Sequence, residues 1–599
     1  MKKKYVRWTL WTIASPFILF IILCILIYLP PIQNFLVDKA AVYASEATGM
    51  NISVGRISLS FPLNLVVTDV DAASPHNDTL LSVRRLQVNV QLLPLLKKQV
   101  EVDGISLQGA TVNSNDLIHG MKLNGTLGEL FISSHGVALD PETAIVNKVL
   151  LKDTDLSLCL NDTAAADTAA SDTTYWKIIL QDIDLQNVSF ALDMPLDSLS
   201  LAASLDNAIL RDGLIDLHKS AYSLQTFRIE NGRVRYDNGK PLAADSLSSG
   251  LDPSHIALTD IGVKLDSLYY GGRNMKAIIS QFVLKERSGV EIVSATGRMV
   301  SNDKVLRVPS LKLETRDSYL ELNAAMDWNA LDFKDEGLVS ARLMADIGKP
   351  DVVRFMGSMD EKFIRQYPSE PLRIRTGIDG DLNKLKLTTL TAELPGALGL
   401  FARGELTHLT DSLLRGGDIT LEAETKDLKF VSTLAEGIEI PYGTRLEGKF
   451  TMAGTKMGTD LLLMQPEAQA VVAADTIPIT VYNDSISVAD DFKMERAARL
   501  FAKYDLSRDR YEADLAVNHF DLHQFMPADS LYTLSTRLKV EGEGFDFFSP
   551  RTYFKAEGGI DRFHYGSYHL TGISLAAGLE KSKVHASLAV KNWTTDIKV

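Results

Sequence analysis

The sequence predicts a mainly β protein: one N-terminal transmembrane helix followed by an elongated β-sheet with a few short helices. Three observations carry that expectation. Trp8 to Tyr28 is an apolar run without a single charged residue, behind the basic flank 1–7. From Asn51 onward apolar residues recur with period two, as in half-buried strands. No catalytic or metal-ligating constellation stands out across the 599 residues.

The run 8–28 is long enough for a hydrocarbon core of about 30 Å. Trp8, Trp11 and Tyr28 sit near its ends, where amphipathic rings favour the interfaces. Pro16 is tolerated in a membrane helix and can kink it. Lys2, Lys3, Lys4 and Arg7 lie on the N-terminal side, so the flank is expected in the cytoplasm and the rest exported. A cleaved signal peptide fits less well, because its apolar region would span only about 7–15 residues with small residues close behind. Pro30, Pro31 and Ile32 follow instead, and Ile21 to Leu23 before Cys24 lack the small residues of a lipoprotein site.

Outside that flank 58 Lys and Arg face 76 Asp and Glu. A dispersed negative surface argues against nucleic-acid partners and serves solubility. Cys159 is the one cysteine beyond the anchor, so no intrachain disulfide is expected in the exported part.

Past Pro30 and Pro31, residues 32–48 read as an amphipathic helix, with Phe35, Leu36, Ala40, Tyr43 and Ala47 on one face and Gly49 as its stop. A first β-rich region is expected over 51–349 and a second over 368–599. Three segments share one scheme: Ile105, Leu107, Gly109, Val112; Ile183, Leu185, Asn187, Phe190; and Phe227, Ile229, Asn231, Val234. Each reads as a strand, a residue tolerant of positive φ, then another strand. Residues 161–175, rich in Ala, Asp and Thr, are expected to form a mobile loop. Helices are expected at 350–367, ended by Pro368, and at 491–504, where Met494, Ala497, Ala498, Phe501 and Tyr504 share helical spacing. Some 35–45 strands are expected in the exported part. The pattern runs to Val599 without a cap, which leads us to expect a longer natural protein.

The first 115 residues resemble the AsmA-like superfamily, most closely its TamB branch. The resemblance lies in the single anchor, Pro31 to Leu36, the helix ending at Thr48 and Gly49, Ile52 to Pro62, and Leu80 to Leu95. A weaker echo runs from Phe520 to Phe545. It implies a single-pass inner-membrane protein whose bulk lies in the periplasm, folded as a curled, groove-like sheet. It also implies traffic of phospholipid acyl chains toward the outer membrane, or assembly of outer-membrane proteins with a β-barrel partner. The family's C-terminal domain is not recognisable here. By this alternation Val88, Val90, Val102, Leu107, Leu158, Leu185 and Phe190 are expected on the face that would line such a groove. A long apolar groove would be an oversized exposed patch unless lipid filled it.

Other chemistry is sparse, and no cofactor is expected. Gly443 to Lys449 imitates a phosphate loop, but Phe450 stands where Ser or Thr should hold magnesium. His519 and His523, with His564 and His569 as further candidates, lack the glutamate and helix of a zincin. No G-x-S-x-G elbow is present, so an anchored hydrolase would need residues distant in sequence. Asp-(Ser/Thr)-apolar triplets recur, for example at Asp197, Asp411 and Asp529, above the roughly four that composition would give. They resemble a bacterial periplasmic O-glycosylation sequon, with Thr163, Thr168 and Thr173 as the best acceptors. Turn chemistry explains such triplets equally well.

Overall fold

The computed structural model describes most of the chain from residue 50 onward, with Lys39, Ala41, Val42 and Ser45 before it. Residues 61–63, 75–78, 91–101, 115–119, 140–141, 162–175, 241–249, 335, 357–360, 435–436, 467–495, 547, 550, 581–582, 591–595 and 599 lie outside the described residues. So do the expected anchor 8–28, most of 32–48, and Thr163, Thr168 and Thr173. Among the described residues no helix is long and apolar enough to cross a membrane. Lys39, Ala41, Val42 and Ser45 are helical, and the Ser45 hydroxyl accepts from the Ile52 amide at 3.0 Å.

The chain is mainly β and groups into two compact units, Met1–Ser301 and Asn302–Val599. In the first, β1 (Asn51–Ser60), β2 (Asn64–Ala73), β3 (Thr79–Val90), β4 (Val102–Asn113), β5 (Met121–Leu139), β6 (Glu142–Leu160), β7 (Lys177–Met194) and β8 (Leu199–Asp216) pair in sequence order. β9 (Ala221–Leu224) and β10 (Thr226–Asp237) share the next position, between β8 and β11 (His255–Gly271). β12 (Asn274–Glu286) and β13 (Glu291–Ser301) complete the unit. These pairs are antiparallel except β6–β7, which is parallel.

The second unit holds β14 (Val305–Thr315), β15 (Tyr319–Asp327), the one-turn helix α1 (Trp328–Leu331) and β16 (Leu338–Ile347). Helices α2 (Lys349–Met356) and α3 (Glu361–Gln366) precede β17 (Leu372–Asp381), β18 (Lys384–Leu394), β19 (Leu398–Thr407) and β20 (Gly416–Thr425). Then come β21 (Arg445–Ala453), β22 (Lys456–Met464), β23 (Ala497–Asp505), β24 (Arg510–Asp521) and β25 (Leu531–Glu543). β26 (Tyr553–Tyr565), β27 (Tyr568–Glu580), β28 (Lys583–Val590) and β29 (Asp596–Lys598) follow. Each strand here pairs antiparallel with its sequence neighbour.

Three expectations need correction. The helix expected at 491–504 fails over its described part: residues 497–504 belong to β23, hydrogen-bonded to both β22 and β24, and 491–495 lie outside the described residues. Ala498, Leu500, Ala502 and Tyr504 alternate with Arg499, Phe501 and Lys503, so helical spacing coexisted with period two and the two ladders decided. Gln465 helps hold that arrangement, its side chain bonding both backbone groups of Asp521 at 2.7 and 2.8 Å. Second, the described residues hold 29 strands, several of them 17–19 residues long, against the 35–45 expected of the whole exported part. Gly109, Asn187 and Asn231 do have positive φ (62°, 51° and 54°), but each sits inside one continuous strand, not in a turn between two. Third, the units divide at Ser301, not at the helical segment 350–367. α2 and α3 are inserted between β16 and β17, which pair directly along ten positions.

The principal buried cluster sits at that insertion. Phe363, Tyr367 and Phe430 pack ring against ring at 5.1–5.7 Å, over Leu394 and the partly buried Leu372 and Leu398. Asp351 anchors α2: 1 % exposed, it accepts from the Thr315 and Ser318 hydroxyls and pairs with Arg354 at 2.9 Å.

Candidate functional site: an apolar sheet face

Because register fixes which side chains lie side by side on one face, the pairings assemble the candidate site. In the first unit one row runs Ile57, Val67, Leu86, Leu107, Leu130, Leu151, Leu185, Ala208, Ile229 and Val263, from β1 to β11. Beside it run Leu65, Val88, Ile105, Ile132, Val149, Ile183 and Leu210. Further along the strands a second band includes Val70, Val83, Ala110 and Leu127, and then Leu156, Phe190 and Ala203.

Between the bands each of seven neighbouring strands takes a three-residue step: Val67 to Val70, Leu86 to Val83, Leu107 to Ala110, Leu130 to Leu127, Leu151 to Thr154, Leu185 to Val188, Ala208 to Leu205. In a regular strand an odd step would put the second band on the opposite face. A left-handed residue at Asp69, Gly109, Asp153 and Asn187 resets the phase. Arg84 with Arg85, Lys152 with Asp153, and Gln186 with Asn187 are accordingly exposed as consecutive pairs. Glycines accommodate the close approach: a Cβ on Gly55 would lie 2.9 Å from that of Asp69, and one on Gly128 2.8 Å from that of Asp153.

The other face is mixed and more polar: one row on it runs Val66, Gln87, Ser106, Phe131, Leu150, Asp184 and Ile209. Ser53, Asp71, Ser82, Thr111, Thr126, Asp155, Ser189 and Ser204 form one uninterrupted row. Gln87 donates to Asn89 at 3.0 Å on the side opposite Val88.

Of the seven predicted groove residues, Val88, Leu107 and Leu185 fall in the first band and Leu158 and Phe190 in the second. Val90 and Val102 pair with each other at the ends of β3 and β4. Phe190 is 37 % exposed.

The second unit repeats the two-faced design, on residues outside the expected groove set. Leu322 and Leu343 begin a row that continues, across Thr376, to Leu390, Ala402 and Leu421, across Gly448 to Leu461, Leu500, Leu515 and Leu538, and across Gly558 to Leu575 and Leu588. Leucine recurring at alternate positions was a visible signal, but without the register the strands could not be set side by side. The opposite face is charged: Arg499 grips Asp460 with two bonds of 2.6 and 2.8 Å, and Lys384 meets Glu405 at 3.1 Å.

Like-charged pairs interrupt the complementarity of that face: Glu405 opposite Asp418, Glu512 opposite Glu541, and Glu422 opposite Glu447. Glu447 stands opposite Glu422 in the β20–β21 register. Burial, then the Glu422 charge, raise the Glu447 pKa above the ordinary carboxylate value, against a smaller lowering by Arg445. An acid whose folded pKa is raised costs stability as pH climbs from its unfolded pKa through its folded one. Glu447→Gln is therefore expected to stabilise the protein near pH 7 by about 0.2–1 kcal/mol and to have no such effect near pH 4. Thermal melts at both pH values check this; an equal gain at both would contradict it.

The remaining candidates do not converge on chemistry. Gly448 and Lys449 lie within β21. His519 meets Arg562 at 3.1 Å, apart from His523, Tyr532, His564 and His569, whose rings follow one another at 4.1–4.8 Å. Among the described residues no three His, Cys, Asp or Glu are grouped to hold a metal. Ser198, Ser412 and Ser530 of the recurring triplets are exposed in turns. The Asp411 carboxylate accepts from the Leu413 and Leu414 amides at 2.8 and 3.2 Å, which is turn chemistry.

No protein-family model matches the chain, and no curated protein matches it.

Proposed function

We propose that this is a non-enzymatic, single-pass inner-membrane protein that carries phospholipid acyl chains along the apolar face of a curled periplasmic sheet, toward the outer membrane. The observation that carries the reading is the continuity of the apolar rows. Aliphatic side chains adjoin without a break from β1 to β11 in the first unit and across most strands of the second, where Thr376, Gly448 and Gly558 interrupt the row, and the opposite face is the more polar one. Soluble sheets cover such a face with a second layer. Among the described residues the cover on this face in the second unit is local: the α2–α3 insertion with the turn around Phe430, Ala330 of α1 with Leu409 over Val339 and Leu385, and Phe525 on Phe520. An uncovered apolar strip of this extent is costly in water and is satisfied by lipid chains. A left-handed residue bends its strand, so a line of them is a natural crease for a trough. The anchor 8–28, the cytoplasmic N-terminus and the resemblance to the TamB branch belong to the same reading.

The test uses the full chain purified from its native membrane. Leu107→Arg and Leu158→Arg are expected to fold, because a long side chain on an open face can snorkel to water. They are also expected to retain severalfold less co-purifying phospholipid than the parent chain. Collapse of both variants would point instead to a closed core, where an unpaired buried charge is strongly destabilising. Unchanged lipid in folded variants would refute the conduit. The alternative, an assembly factor acting with a β-barrel partner, predicts crosslinks to nascent barrel strands and no dependence on these leucines.

A further inference from the structure

We propose that lipids on the second unit lie along its strands, with their glycerol and headgroup ends at two aromatic margins of the face. This deepens the lipid reading above and rests on it. At one margin Tyr504 stands opposite Tyr511, and Phe545 from the turn after β25 approaches both, at 6.0 and 5.1 Å between ring centroids. The Tyr504 hydroxyl donates to the Asp509 carboxylate at 2.7 Å, so a ring on the apolar face ends in a polar turn. At the other margin Phe520 stacks on Phe525 at 5.2 Å, and Tyr565 stands opposite Tyr568, 48 % and 61 % exposed. His519, at φ 46°, resets β24 as the left-handed residues do in the first unit, keeping Phe520 on the apolar face after Val517.

Between the margins the face of β24 is Ala513, Leu515 and Val517, without an aromatic or charged side chain. Its neighbours are equally aliphatic apart from Thr536, whose hydroxyl is satisfied by the Gly559 carbonyl at 2.9 Å. Amphipathic rings with wet tips settle where hydrocarbon gives way to polar groups. From Tyr511 to Phe520 the strand spans about 30 Å at ~3.3 Å per residue, close to the ~30 Å of a bilayer's hydrocarbon core. A uniform groove for chains running across the strands would have no reason to bracket its aliphatic band with aromatics at both ends.

The experiment places a benzophenone amino acid at Tyr511, at Leu515, or at Phe563, whose ring lies 6.2 Å from that of Tyr565 at the second margin, in the full chain. Each variant is irradiated with vesicles of dioleoyl phosphatidylcholine, and the attachment carbon on the lipid is mapped by fragmentation mass spectrometry. Phe554 of β26, in register with Tyr511 across Gly542, and Leu575 of β27 serve as a second margin-and-centre pair should the first set misfold. Leu515 is expected to attach to the methyl-terminal half of the acyl chain, and Tyr511 and Phe563 near the carbonyl end. One common distribution at margin and centre would overturn the orientation while leaving lipid binding intact. No adduct at any position would overturn the lipid reading beneath it.

Discussion

Gly128→Val is expected to destabilise the first unit by about 3 kcal/mol, at the upper end of overpacking costs. A Cβ at this position would meet the Asp153 Cβ at 2.8 Å, the Asp153 carbonyl at 2.9 Å and the Lys152 carbonyl at 3.0 Å. Two of those three atoms are backbone, fixed by ladders on both sides of β6, so relief requires the strands to part. The damage should be regional, since a sheet this long need not unfold as one cooperative unit. Hydrogen exchange is expected to quicken in β4 to β7 and to stay unchanged in β23 to β27. Exchange unaffected throughout would show that the phase-resetting seam tolerates a side chain, and that the glycine is incidental.

Asp351→Leu is expected to cost about 3 kcal/mol, the scale of breaking a buried charged network by removing one partner. The carboxylate is 1 % exposed and accepts from Ser318 at 2.6 Å, from Thr315, and from Arg354 at 2.9 Å. Leucine fills the volume but leaves two hydroxyls and a guanidinium without their acceptor, and unmade buried bonds cost more than made ones return. Arg354 keeps its bond to Asp317 at 2.9 Å, which limits the loss. Protection of the amides in α2 and α3 should fall first, because these helices reach the sheet through this network and the Phe363 cluster. Asp351→Asn, which keeps an acceptor, is expected to lose less than half as much. Equal losses in the two variants would mean that volume, not hydrogen bonding, governs the site.

Much of the fold could be read from alternation alone. Leu86, Val88 and Leu107 belong to strands as their spacing says, and α2 and α3 occupy the helical pattern around Val352 and Phe363. The failures have one physical source, competition between local pattern and neighbours that the sequence does not reveal. Residues 497–504 satisfied a helical and a strand period at once, and only the ladders to β22 and β24 settled the outcome. Gly109, Asn187 and Asn231 announced positive φ correctly. Whether such a residue turns the chain or resets a strand in place depends on the strands beside it. That dependence also explains why Leu185 and Phe190, five residues apart, share a face that strict alternation would deny them. The face in the second unit was invisible for a related reason: Leu461, Leu500, Leu515 and Leu538 become one row only through register.

The most direct measurement scans a photo-crosslinking residue along one strand, from Tyr511 to Val517 in β24, in the full chain within its native membrane. Tyr511, Ala513, Leu515 and Val517 face the apolar side, and Glu512, Asp514 and Ala516 the polar one. Phospholipid adducts are expected at every odd position and at none of the even ones. Ala516 is the informative control, because it is as small as Ala513 and differs in facing the other way. Adducts of equal yield at odd and even positions, or at neither, would contradict the idea that one face of this sheet carries lipid.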